Sequence, residues 1–272
     1  MAREAANELV DRLRAMGVPQ RGSIHLAPVT SYLSQAALEA ERIAPGSSAD
    51  TVVWVDVGVR AYEDTELNWT FLTLMSLAIA LAGIAISTDS EILVIGAMVL
   101  GPEFGAVAAL GLATVRKRWE LLRRAVRALV VGFAVGISVT YVAAVFGRVM
   151  GWVTAAEVTA DRPNTSFIYH PDHWTIMIAI IAGAAGVLSM TSSRAAGMSG
   201  VFISVTTIPA AANLALAMAF GLWSEAAGSL LQLVLNIVAM GVAGWVTLQL
   251  QQTLWHRVSA HRAAITARFR SA

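Results

Sequence analysis

The sequence predicts an all-α polytopic membrane protein: six transmembrane helices in two inverted three-helix repeats, preceded by a small N-terminal α/β cap. Three observations predict it. Of 272 residues, 57% are hydrophobic and 14% charged, with a mean hydropathy of +0.65, a balance foreign to soluble domains. From Trp69 onward, apolar runs near the roughly 20 residues that a spanning helix needs alternate with short polar breaks. The second run in each group of three carries a proline near its middle, Pro102 and then Pro209.

Residues 1–68 form the cap, expected on the cytoplasmic side. Ala6, Leu9, Val10, Leu13 and Met16 share one face of a short amphipathic helix, which Gly17-Val18-Pro19 ends. Ser23 to Val29 is compatible with a strand. Ser31 to Ile43 reads as a second helix with Ser31 as N-cap and Pro45-Gly46 as its stop. Thr51 to Val59 is rich in β-branched residues and reads as a strand, with a helix also compatible. The first 20 residues hold no continuous apolar core, so no cleavable signal peptide is expected and the first span directs insertion. The cap is too short to bury a large core alone, and is expected to lean on the membrane domain or on a neighbouring subunit.

The membrane domain, 69–250, contains spans at Trp69 to Ile86, Ile92 to Thr114, Leu121 to Met150, Trp174 to Thr191, Met198 to Phe220 and Leu230 to Leu250. A basic tail, 251–272, follows. Basic residues near span ends set orientation. Six fall within the twelve positions from Arg116 to Arg127, between spans two and three, and the tail adds Arg257, Arg262, Arg268 and Arg270. With both termini cytoplasmic, 17 of the 19 basic residues lie inside, leaving Arg148 and Arg162 outside.

Three spans per half force the second half to enter from the opposite face. Interrupted helices at matching positions of such a repeat point to a binding site at the midplane. In the first half the interruption is Gly101-Pro102, followed directly by Glu103, a carboxylate whose burial in a bilayer costs at least about 2.5 kcal/mol. Proline removes a helical donor and crowds the preceding turn.

The run Thr88-Asp89-Ser90, then Val94-Ile95-Gly96-Ala97-Met98, then Gly101-Pro102 and Gly105 resembles the signature of the membrane-protein family known as domain of unknown function 389. Pro209 and Asn236 also fall where that family tends to carry a proline and an asparagine. The resemblance covers about residues 65–250 and implies a multi-spanning bacterial or archaeal membrane protein; it supplies no substrate. Two positions depart from the pattern: Glu91 replaces the usual proline after Asp-Ser, and Glu103 occupies a position that is often apolar.

Glu103 is the sharpest site residue. An intramembrane acid normally faces a bundle interior or aqueous cavity and marks an ion or proton pathway; the bland alternative is a neutral acid capping backbone freed by Pro102. Gly101, Pro102 and Pro209 either create half-helices whose exposed amides and carbonyls bind ions, or only kink the chain. Thr206 and Thr207 either re-satisfy carbonyls freed by Pro209 or coordinate a solute. Asn213, one turn past Pro209, and Asn236 in span six either line a path or hydrogen-bond between helices. At the outer end, Asp89 reads as an N-cap of span two, and with Ser90 and Glu91 as a vestibule that attracts cations. Gly96, Gly101, Gly105, Gly111, Gly132, Gly136, Gly241 and Gly244 suit close helix packing, within or between subunits.

The absence of cysteine excludes disulfides, thiolate nucleophiles and cysteine metal sites. His170, Asp172 and His173 lack the further ligands a zinc site needs, so no metal or cofactor is expected. Without a nucleophile elbow, HExxH or phosphate loop, an enzyme is not expected. The leading expectation is a transporter or channel in the cytoplasmic membrane of a prokaryote, moving a small solute or ion past Glu103. Its expected partners are the lipid bilayer and further copies of the chain, not nucleic acid. The alternative is a non-transporting oligomeric scaffold or sensor whose cap binds a partner.

Overall fold

The computed structural model describes the backbone of residues 6–26, 34–35, 52–154, 158, 173–191 and 200–270, and the side chains of these residues except at 173, 200–206 and 254–270. Every regular element among them is helical.

The cap contributes α1 (Ala6–Ala15), α2 (Val18–Arg21) and α3 (Trp54–Asp64). Of the apolar stripe read on the first helix, Ala6 and Val10 are buried while Leu9 and Met16 face outward. Gly17 takes a left-handed φ of 74° and leads straight into α2, with Pro19 in its first turn. The strand expected at Thr51 to Val59 is instead the start of α3. Val57, Gly58, Ala61 and Thr65 form one buried stripe at helical spacing, and packing that stripe overrides the β-branched propensity. Asn7 ties α1 to it, its Oδ1 accepting from the Trp54 amide at 3.1 Å and its Nδ2 donating to the Val52 carbonyl at 2.7 Å. Ser23 to Leu26 take no regular structure, while 27–29 and all of the predicted helix Ser31 to Ile43 except Ser34 and Gln35 lie outside the described residues. Among those described, the cap is therefore helical rather than α/β.

The membrane domain contains α4 (Trp69–Ser87), α5 (Glu91–Leu100), α6 (Glu103–Val115), α7 (Trp119–Val149), α8 (His173–Thr191), α9 (Gly200–Phe220) and α10 (Trp223–Arg270). Four of these, α4, α7, α8 and α10, are long and apolar enough to cross a bilayer unbroken, and α5 with α6 make a fifth apolar unit bent by 57°. In α9 the apolar stretch with described side chains is Thr207–Phe220. Asn68 starts α4 by accepting from the Phe71 amide at 2.8 Å.

Tight reversals join the early helices. Asp89 (φ 47°) closes α4 and Lys117 (φ 52°) closes α6, and in each the next amide reaches back to the last turn, Ser90 N to Ala85 O and Arg118 N to Ala113 O, both at 2.9 Å. Asp89 is therefore the left-handed residue that ends α4. The N-cap of α5 is Ser90, without a side-chain capping bond.

Glycines set the helix contacts. A Cβ on Gly132 would strike Phe71 and one on Gly136 would strike Ile79, while Gly83 faces Thr140. Residue numbers on α4 and α7 thus rise together along their contact. The same holds for α8 and α10, where Gly183 abuts the Met240 backbone and Gly244 meets Val187, and for α6 and α10, where Leu110 meets Gly241 and Gly111 lies against Gly244. Arg148 Nη1 donates to the Ala219 carbonyl at 2.8 Å, tying the end of α7 to that of α9. At the other end Thr191 and Gln251 join α8 to α10 at 3.4 Å.

Candidate functional site

Gly101 and Pro102 break the second apolar run. Gly101 takes an extended conformation (ψ 121°), the state that a following proline favours, and Pro102 (φ −87°, ψ 0°) occupies the N-cap of α6. Glu103 is consequently the first residue of a new helix inside the bundle. Its side chain is 0% exposed. The first amides of α6 have no intrahelical acceptor, and the helix dipole favours negative charge at this end. Across the interface, Thr207 Oγ1 donates to Glu103 Oε1 at 2.9 Å, and Thr207 is equally buried. Thr207 thus directs its hydroxyl at the acid. The side chain of Thr206 lies outside those described.

The matched break at Pro209 does not occur. Helix α9 runs through it, and Ile208, which a following proline would push out of helical conformation, is fully buried among the neighbouring helices. Packing holds the helix. Of the two prolines, only Pro102 exposes helix ends within the bundle.

A second polar group lies along α10. Asn213 Nδ2 donates to Glu225 Oε1 at 3.0 Å and to Ser229 Oγ at 2.9 Å. Glu225, Ser229, Gln232 and Asn236 follow at spacings of four, three and four, which is one face of a helix; the last three are buried. Gln232 Oε1 has no hydrogen-bond partner among the described residues. Gly111 on α6 packs on Gly244 of α10, and eight residues earlier on each, roughly 12 Å at 1.5 Å per residue, stand Glu103 and Asn236. The α10 stripe therefore descends from the Glu225 end to the level of the buried glutamate.

A further acid approaches from the cap. Asp64, at the end of α3, lies over Gly105, where a Cβ would overlap its Cβ, Cγ and Oδ2. Burial, then the neighbouring Glu63, hold its carboxyl above the usual aspartate range, with Arg60 opposing. Asp89 and Ser90 are half-buried and Glu91 exposed at the α4–α5 turn. His170 and Asp172 lie outside the described residues, as does the side chain of His173, and among the described residues no three acidic or histidine side chains gather.

A family model described as a domain of unknown function, DUF389, matches residues 98–242, 145 of the 272 positions, and takes in Pro102, Glu103, Thr207, Asn213 and Asn236. The chain belongs to the DUF389 family. An uncharacterized protein of Methanocaldococcus jannaschii is 25% identical over 175 residues, covering 64% of this chain and 51% of that protein, so the chain spans about half the length of this relative. No solved structure matches.

In this DUF389 protein the structure brings together Glu103 and Thr207, places Asn213 beside Glu225 and Ser229, and buries Asn236; Glu225, Ser229, Gln232 and Asp64 were not singled out from the sequence. The first three carried a legible signal, polar residues on a single face of an otherwise apolar span. Asp64 carried none, because its role comes from α3 folding back along α6.

Proposed function

We propose that this chain is an integral membrane transporter or channel for a small solute or ion, with Glu103 and Thr207 as its recognition point. The observation that carries the reading is a fully buried carboxylate at the head of a half-helix, hydrogen-bonded across the bundle to Thr207. Such an acid is costly in a bilayer and is typically retained for proton or cation handling. The stripe from Glu225 to Asn236 supplies hydroxyl and amide groups along the approach, and Gln232 offers an acceptor to a passing water or cation. Glu103 is fully buried, so passage would require the helices around the Gly101-Pro102 break to part.

Two inverted halves and six spans belong to the same proposal. Its support is the sense of the contacts: α4 runs with α7, α8 runs with α10, and α10 runs with α6, which short turns make antiparallel to α7. The first and third helices of the two halves then point in opposite directions. Pro209 takes no part as a break, so ion chemistry is concentrated on the first half while the second contributes Thr207, Asn213 and the α10 stripe. A homo-oligomer in a prokaryotic cytoplasmic membrane, with both termini inside, completes the reading.

The test is flux into proteoliposomes. Protons, sodium, potassium, chloride and a small uncharged solute are compared between liposomes with and without the protein. A rate above the lipid leak for at least one cation, protons included, is expected. Leak-level rates for all five contradict the reading and leave the scaffold alternative.

A further inference from the structure

At the bundle end where Thr191 meets Gln251, α1, α3, the α6–α7 turn and α10 line a partly open cavity of about 340 Å³, within the size range of small-molecule sites. Its walls, among the described residues, bring together Arg14, Arg116 and Arg118 against the single carboxylate of Asp11, with Trp54 and Gln251 beside them. We propose that this cavity is a binding site for a phosphate-bearing anion, held by the guanidiniums of Arg14, Arg116 and Arg118.

Three features support it. The arginines come from two elements, Arg14 from α1 and Arg116 and Arg118 from the α6–α7 turn, and the turn pair is seated against α3: Arg116 lies over the Trp54 ring at 4.4 Å, and Arg118 reaches the face of α3 at Gly58, where even a Cβ would crowd its Nη1 at 3.2 Å; Asn7 fastens α1, which carries Arg14, to the start of α3. Planar guanidiniums match phosphate geometry, and several around one cavity recognise it better than any alone. The local charge is unbalanced. Arg116 is held below the ordinary arginine range by burial and then by Arg118, with Asp11 opposing, and an anion between the two arginines would offset their mutual repulsion. Asp11 is a weak competitor, since its contact with Arg14 is 3.9 Å long and well exposed. The positive-inside tendency explains basic residues near a span end. It does not explain their convergence with a cap helix on one cavity.

Two sources carry this chemistry, a lipid headgroup at the membrane surface and a soluble phosphate compound. The purified full chain in neutral detergent is titrated with sodium pyrophosphate at constant ionic strength, and separately with phosphatidylglycerol against phosphatidylcholine doped into the micelles. The thermal unfolding midpoint is the readout. A saturable rise in either series is expected; pyrophosphate alone identifies a soluble ligand, phosphatidylglycerol alone a headgroup, and both a shared phosphate site. Arg116→Gln and Arg14→Gln, on different elements so that one misfolding variant does not decide the matter, each raise the half-saturating concentration about tenfold, the scale of one lost charge-assisted contact. Arg123→Gln, outside the cavity, leaves it unchanged. No saturable rise in either series, or equal titrations for wild type and both cavity variants, overturns the proposal.

Discussion

Glu103 and Gly105, two residues apart, divide the work at the head of α6. Glu103 faces α9 and Thr207, while Gly105 clears the space that Asp64 fills from the cap. Gly105→Ala is therefore expected to destabilise the protein by about 1–3 kcal/mol through overpacking, read as a lowered thermal midpoint. Asp64→Gly in the same chain should restore part of the loss, because the clash includes the Asp64 Cβ, whereas Asp64→Asn should restore none. The same aspartate gives a pH signature. Its folded pKa is raised, so the folded state binds the proton more tightly than the unfolded state, and the contribution is fullest below the unfolded value of about 3.9. It is lost as pH rises from there through the folded pKa. Asp64→Asn should flatten that part of the stability profile and leave the variant more stable than wild type at neutral pH.

At the scale of elements, two prolines with similar surroundings in sequence behave differently. Pro102 follows a glycine free to extend, and the chain breaks by 57°. Pro209 follows a buried isoleucine, and α9 continues. Pro209→Ala is thus expected to hold or raise the thermal midpoint, since it returns a helical hydrogen bond, and to leave flux intact. Pro102→Ala should remove the constraint that opens the break and impair flux. An equal loss of flux in both variants would contradict the assignment of the break to the first half alone. The apolar elements were legible because period and length dominate in a membrane: α4, α7 and α8 fall within about three residues of expectation. The cap was less so. Its α3 contains a run of valines that favours a strand locally, and only the stripe Val57, Ala61, Thr65, meaningful once α6 is there to receive it, makes it a helix. Similarly, Asp89 reads as an N-cap until the reversal between α4 and α5 assigns it a left-handed conformation that closes the preceding helix.

For the whole molecule, the distribution of arginines predicts that the Thr191–Gln251 end faces the cytoplasm and the Arg148–Ala219 end faces outward. The chain has no cysteine, so single introduced thiols report without background. Cysteine at Ser224, in the exposed start of α10, should react with an impermeant thiol reagent from outside, and cysteine at Trp119 only after the membrane is opened. The reverse pattern would invert the topology. Glu103 was legible from its position beside Gly101-Pro102 in an apolar run; its hydrogen bond to Thr207 was not, because the crossing of α9 over α6 brings the two together.

The most direct measurement of the central claim compares cation and proton flux into proteoliposomes for wild type and Glu103→Gln, with both reconstituted to equal density and equal thermal midpoint. Glutamine keeps the shape and can still accept from Thr207 but holds no charge, so flux should fall by at least about tenfold, equivalent to ~1.4 kcal/mol in the barrier. Equal flux in the two proteins would contradict a role for Glu103 in recognition.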